Sequence, residues 1–371
     1  MPPNLTEARR IVVKIGSALV VDPEEAAPRQ DWLATVAADI AALRAGGVEV
    51  LVVSSGAIAL ARRSLRLTQA RLRLEEKQAA AAVGQIRLAQ AWTEALSAHG
   101  LTAAQLLLTL DDTEDRRRYL NARATLTTLL GFGCIPVINE NDSVATAEIR
   151  YGDNDRLAAR VAEMIEADVL ILLSDIDGLY TADPRRNREA AHIPLVTAVT
   201  GEIEAMGGEP PPGYSSGGMR TKLVAARIAT GAGSAMAIAF GHRPHPLRAL
   251  AEGARCTWFL PTPEGRSARK RWIAGTLAPL GTLTVDDGAA RALRRGSSLL
   301  PAGVRAVGGT FERGDPVEVR TADGTLLARG LSAYGSADAA RIIGNRSEAI
   351  EAILGWRGRD ELIHRDDLVL L

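Results

Sequence analysis

Aromatic residues make up only 4% of the 371 residues, so aliphatic side chains must build the core. Cysteine is nearly absent. Cys134 and Cys256 lie far apart and in no metal-ligand spacing, which excludes a disulfide framework or a cysteine zinc site. The five histidines include no His-Glu-x-x-His run, and His242 and His245 read as part of a proline-bent loop rather than as metal ligands. Net charge is also lacking: 44 basic residues balance 44 acidic ones. A chain held on nucleic acid by charge alone would be basic, so a small molecule or a protein is the better partner. No apolar run approaches the roughly 20 residues of a membrane-spanning helix. The polar segment from Met1 to Arg10 lacks the apolar stretch of a secretory leader. The cytosol is the expected compartment.

Lysine is the scarcest of the common charged residues. Of the 44 basic residues only Lys14, Lys77, Lys222 and Lys270 are lysine. Arginine supplies positive charge in general, so a retained lysine suggests a need for a compact point charge on a flexible stem.

With 47% apolar residues there is ample material for a core, and the length suggests two domains. Ile11 to Ile15, Val48 to Val53, Thr102 to Leu108, Cys134 to Ile138, Val169 to Leu173 and Ser234 to Ala239 read as buried strands. Helical spacing covers Asp31 to Arg44, Glu75 to Ala98, Leu120 to Leu130, Asn154 to Ile165 and Met219 to Thr230. Such alternation predicts an α/β fold, a mainly parallel central sheet sandwiched by helices. Ligands then bind where loops leave the carboxyl ends of the strands. Residues 1–262 form this first domain, and residues 263–278 are polar and basic and read as a linker. Residues 279–371 are Gly-punctuated and β-rich, with an Asp323-Gly324 hairpin signal.

The strand-end loops carry the reactive groups. Lys14 interrupts an apolar strand before Ile15-Gly16-Ser17, which suits a phosphate through charge, backbone N–H groups and a hydroxyl. The alternative is a snorkelling lysine. Ser55-Gly56-Ala57 offers a close backbone approach and a helix N-terminus. Asn139-Glu140-Asn141-Asp142 ends its strand in four polar side chains, suited to gripping an ammonium and a carboxylate together, or simply to a solvated turn. Gly152-Asp153-Asn154-Asp155 precedes a helix. One of these residues suffices as a cap, and the others are free to orient lysines, hold substrate or touch metal-bound water. Ser174-Asp175 ends another strand, and the glycine-rich segment through Ser216, Gly217, Gly218, Met219, Arg220, Thr221 and Lys222 feeds a helix as a phosphate cradle. It is no Walker A loop, and no GxGxxG follows a strand, which counts against a dehydrogenase. Two lysines at element ends, acids between them and anion loops fit phosphoryl transfer, where positioning and positive charge do most of the catalysis.

Val12-Val13-Lys14-Ile15-Gly16-Ser17, Ser54-Ser55-Gly56-Ala57-Ile58, Ala82-Val83-Gly84-Gln85, Leu120-Asn121-Ala122-Arg123, Pro136 to Asp142, Gly152 to Asp155, Gly178 to Pro184 and Gly217-Gly218-Met219 occur in this order. Together they resemble the amino-acid kinase family, and within it the members that phosphorylate the γ-carboxylate of glutamate. The tail, with Arg295 to Pro301 and Ala352 to Gly355, resembles a PUA domain. The resemblance implies glutamate and ATP as substrates at the head of proline synthesis, with Mg²⁺ held mainly through ATP phosphates and water. Lys14 and Lys222 would bind phosphates and stabilise the transferred group, and Asp155 would orient both. Ser55, Asp142 and Asn154 would hold glutamate, with Gly56 and Asn139 beside it. Ser174, Asp175 and the segment Ser216 to Lys222 would hold the nucleotide. It further implies inhibition by proline, a homo-oligomer and γ-glutamyl phosphate reductase as a partner. Ser17-Ala18 stands where the family has Thr-Ser, Ser174 where it has Thr, and Arg220 where it has a smaller Ser.

Two rival readings are a sister kinase of aspartate, acetylglutamate, carbamate or a nucleotide, and an RNA-binding protein. The Asn139–Asp142 run and the appended tail argue against the first. From Leu280 onward there are twelve arginines, no lysine and thirteen acids, which leaves no basic footprint for the second.

Overall fold

The computed structural model describes residues 2–69, 72–144, 153–208, 218–262 and 279–371. Ser216, Gly217 and the expected linker at 263–278 lie outside them. The chain divides into two compact units, Met1–Gly265 and Arg266–Leu371.

In the first unit, β1 (Arg10–Ile15), α1 (Gln30–Ala45), β2 (Glu49–Ser54), α2 (Ala57–Ala61), α3 (Leu74–Ser97), β3 (Ala103–Leu108), α4 (Arg116–Gly131), β4 (Ile135–Glu140) and α5 (Asp153–Met164) come first. They are followed by β5 (Val169–Ser174), β6 (Leu195–Val196), α6 (Met219–Gly231), β7 (Ala235–Phe240), α7 (Pro246–Ala251) and β8 (Cys256–Phe259). The strands form one sheet in the order β6-β8-β7-β5-β1-β2-β4-β3. Every neighbouring pair is parallel except β7 with β8. The alternating pattern of the sequence thus gives the expected mainly parallel sheet.

The period-two alternation of β1 sorts its side chains between two cores. Ile11, Val13 and Ile15 pack with Leu33, Ile40, Leu88 and Trp92 of α1 and α3 on one face. Val12 packs with Leu157, Val161, Ala225 and Ala229 of α5 and α6 on the other. Lys14 shares its parity with Val12, so it projects toward α5 and α6.

Two local features set the strand-end geometry. Gly56 has φ +126°, and a Cβ there would come within 3.0 Å of Val21; the turn from β2 into α2 therefore needs glycine. A Cβ at Gly84 would lie 1.7 Å from the Ala57 carbonyl oxygen, so α3 crosses α2 at backbone contact. The run expected to leave β4 behaves differently from the sequence reading. Asn139 and Glu140 remain inside the strand, paired with Leu107 and Leu108 of β3, because ladder bonds to a neighbouring strand outweigh their poor strand propensity. His245 pairs with Asp39 of α1 at 2.8 Å, and Asp39 also accepts from the backbone N–H groups of Leu247 and Arg248. The histidine loop is thus held by a cap that α1 supplies to α7.

The second unit holds β9 (Gly281–Val285), α8 (Asp287–Arg294), β10 (Val304–Gly309), β11 (Pro316–Thr321), β12 (Leu326–Leu331), α9 (Ser336–Ile342), α10 (Ile350–Leu354) and β13 (Leu368–Leu370). Its sheet runs β10-β9-β11-β12-β13 around a core of Leu283, Val319, Phe311 and Tyr334. The Asp323-Gly324 signal marks the β11–β12 turn, where Gly324 takes φ +85°.

Candidate active site

The carboxyl ends of β1, β2, β4 and β5 place Lys14, Ser55, Asn139 and Ser174 along one edge of the sheet. The first turns of α5 and α6 bring Asn154, Asp155, Thr221 and Lys222 to the same edge.

Asp155 is fully buried. Its Oδ1 lies 2.6 Å from Lys14 Nζ, and its Oδ2 lies 3.0 Å from Lys222 Nζ. Thr221 Oγ1 donates to the same Oδ2 at 2.9 Å. Burial alone would raise the carboxyl pKa, but the charges and hydrogen bonds of Lys14 and Lys222 outweigh it and hold Asp155 well below the usual range. Lys14 is lowered from its ordinary value, first by burial, with Lys222 adding repulsion and Asp155 opposing both. One anion between two cations leaves a net positive charge in a nearly dry place. That arrangement attracts phosphate and keeps two flexible ammonium groups in fixed positions.

A second cluster lies beside this one. Asn154 Nδ2 donates to Ser55 Oγ at 2.5 Å and to Asn139 Oδ1 at 3.1 Å. Asn139 Nδ2 donates to Gln85 Oε1 at 2.8 Å. Asn154 Oδ1 is buried and has no hydrogen-bond partner among the described residues. Asp142 is half-buried, just past the end of β4.

On the far side of Lys14, Ser174 is buried and its Oγ donates to Asp175 Oδ1 at 3.1 Å. Asp175 is exposed and pairs with Arg185 at 2.6 Å. Partial burial raises its carboxyl, and the bond and charge of Arg185 more than reverse this. A cleft of about 280 Å³ adjoins it, lined by Asp175, Asp177, Arg185, Phe240 and Arg243 among others. Gly218 caps α6, followed by Met219, then Arg220, which is exposed.

The structure therefore brings Lys14, Asp155 and Lys222 together, and separately Ser55, Asn139 and Asn154. Ser174 and Asp175 stand at the neighbouring strand end. Gln85 was missed as a site residue. Its signal was its place one residue after Gly84, which docks α3 on the turn that carries Ser55.

A sheet-edge site with paired ammonium groups, a buried carboxylate and an amide cluster defines a phosphoryl-transfer enzyme acting on a small polar substrate. The chain belongs to the amino acid kinase family, which matches residues 9–239, and a PUA domain matches residues 281–354. It is 65% identical over 368 residues to the glutamate 5-kinase of Gluconobacter oxydans (strain 621H), covering 99% of this chain and 97% of that protein. It is 63% identical over 366 residues to the glutamate 5-kinase of Paramagnetospirillum magneticum (strain AMB-1), covering 99% of both. With the glutamate 5-kinase of Rhodospirillum rubrum it shares 63% identity over 359 residues, covering 97% of this chain and 96% of that protein.

Proposed function

We propose that this chain transfers the γ-phosphoryl group of ATP to the γ-carboxylate of L-glutamate, giving γ-glutamyl phosphate and ADP at the head of proline synthesis. The observation that carries this reading is the buried Lys14–Asp155–Lys222 bridge beside the Ser55–Asn154–Asn139 cluster. Similarity to glutamate 5-kinases over nearly the whole chain supports it.

A carboxylate attacking a phosphate meets anion–anion repulsion. Lys14 and Lys222 offset it by holding positive charge where the equatorial oxygens of the transferred group gather charge. Asp155 holds both ammonium groups aimed at the transferred group. Ser55, Gly56, Asn139, Asp142 and Asn154 hold glutamate with its γ-carboxylate toward the lysines. Ser174, Asp175 and the segment Ser216 to Lys222 hold ATP, with the nucleoside reaching toward the cleft beside Asp175. Mg²⁺ accompanies the ATP phosphates, held chiefly by them and by water, and neutralises phosphate charge when bound.

Proline shares glutamate's amino-acid core and acts as a feedback inhibitor at an overlapping site. The enzyme works in the cytosol as a homo-oligomer, and its labile acyl phosphate passes to a γ-glutamyl phosphate reductase. The C-terminal unit serves regulation or assembly rather than RNA binding. Among the described residues, no helix is long and apolar enough to cross a membrane.

The test is ADP release from MgATP with glutamate, aspartate, acetylglutamate or carbamate, with hydroxylamine present to trap acyl phosphate. Hydroxamate with glutamate alone is the expected result. Turnover with another member of the panel would move the substrate assignment and leave the lysine roles intact.

A further inference from the structure

We infer that Gln85 is a positioning residue for the substrate ammonium group, acting through the orientation of two asparagine amides. The inference rests on the glutamate reading above and extends it to a residue that contacts no substrate.

The amide chain has a direction. The NH₂ group of Asn154 carries two hydrogens, and both are used, one on Ser55 Oγ and one on Asn139 Oδ1. This leaves Asn154 Oδ1 as an acceptor, buried and unpartnered among the described residues. A buried acceptor without a partner is costly, and the group that best satisfies it is a cationic donor. The α-ammonium of an amino-acid substrate is such a donor.

The opposite arrangement is also consistent within itself. If Asn139 turned its amide over, its NH₂ would face Asn154, and Asn154 would have to turn as well. An NH₂ group would then stand where the buried acceptor now stands and would repel an ammonium. Gln85 biases the choice from the far end of the chain: with its Oε1 accepting from Asn139 Nδ2 at 2.8 Å, Asn139 keeps its Oδ1 toward Asn154, and Asn154 keeps its own Oδ1 turned away from both Asn139 and Ser55. The placement follows from the fold. Asn139 shares its strand parity with Ile135 and Val137, which pack on the α1/α3 side of the sheet, and Gln85 lies on α3. Gly84 holds that helix at backbone contact with Ala57, two residues beyond Ser55.

Steady-state kinetics of the full chain test this with Gln85→Met, which keeps length and removes the acceptor, and Gln85→Glu, which keeps an acceptor and removes every donor. For Gln85→Met the KM for glutamate should rise about five- to tenfold, the scale of one neutral hydrogen bond, with KM for MgATP within about twofold of wild type. Gln85→Glu should restore a near-normal KM for glutamate. Glutarate lacks the ammonium, so its Ki as a competitor should not move in either variant. An unchanged glutamate KM in Gln85→Met, equal losses for glutamate and MgATP, or a parallel loss for glutarate would each overturn the inference. Absence of hydroxamate from the wild-type chain would instead overturn the glutamate reading itself.

Discussion

Asp155 has two lysines, and the consequences of its ionisation can be worked out with their signs. Its folded-state pKa lies below the ordinary value, so the folded form binds fewer protons than the unfolded chain between the two values. Its contribution is full above the ordinary carboxylate range and is lost as pH falls through the folded value. Lys14 is also lowered. Here the unfolded chain again binds more protons, in the window below 10.5, so stability rises with pH across that window. Asp155→Asn should cost on the order of 3–5 kcal/mol near neutrality, as breaking one side of a buried ion pair does. Urea titrations at pH 7 and at pH 3, below the ordinary carboxylate value of 3.8, should show the deficit shrinking toward acid; a constant deficit would argue against the titration. Lys222→Ala should lower kcat at least about a hundredfold, the scale of losing one transition-state donor, and a near-normal kcat would remove it from the mechanism. Asp142→Ala should raise KM for glutamate well above any change for ATP, measured by the hydroxamate assay; equal effects would count against a substrate role.

At the scale of elements, α3 is docked by the absence of a side chain. A methyl group at Gly84 would overlap the Ala57 carbonyl, and neither backbone can yield without moving the turn at Ser55 and Gly56. Gly84→Ala gains helix propensity by about 1 kcal/mol, yet overpacking costs about 1–3 kcal/mol or more. The clash should win. The variant should lose thermal stability and show a raised KM for glutamate, because α3 carries Gln85 and its displacement reaches the amide chain. A melting temperature at or above wild type would show that α3 shifts freely. Trp92, fully buried on the same helix, donates to Ser54 Oγ at 2.9 Å and provides a second anchor on the strand that ends at the site.

At the scale of the whole molecule, each unit has its own core. Leu283, Val319 and Tyr334 cluster with residues of the second unit, whereas the cores flanking β1 draw on the first. A chain of residues 1–262 should therefore fold and form hydroxamate from glutamate. A folded fragment with no turnover would place a catalytic contribution in the C-terminal unit. In that unit Glu318 is buried between Arg320 at 2.7 Å and Arg329 at 3.1 Å, so two of its arginines are already paired with a carboxylate.

The sequence by itself determined the sheet, its helices and the two lysines. Apolar runs of strand length with helical spacing between them have few other solutions, and Lys14 was conspicuous because lysine is so scarce. The Gly152 to Asp155 run was legible as more than a helix cap, and the glycine-rich approach to α6 as a phosphate cradle. The sequence could not show that Asn139 stays within β4, since only the partner strand β3 holds its backbone. Nor could it show the direction of the amide chain, which depends on residues 54 and 99 positions apart, Gln85 with Asn139 and Ser55 with Asn154. Short elements such as α7 and α8 carry too little periodicity to stand out, and α7 is capped by Asp39 from a distant helix. Local pattern specifies what packs inward; which polar groups meet at the sheet edge is decided when distant strand and helix ends are brought together.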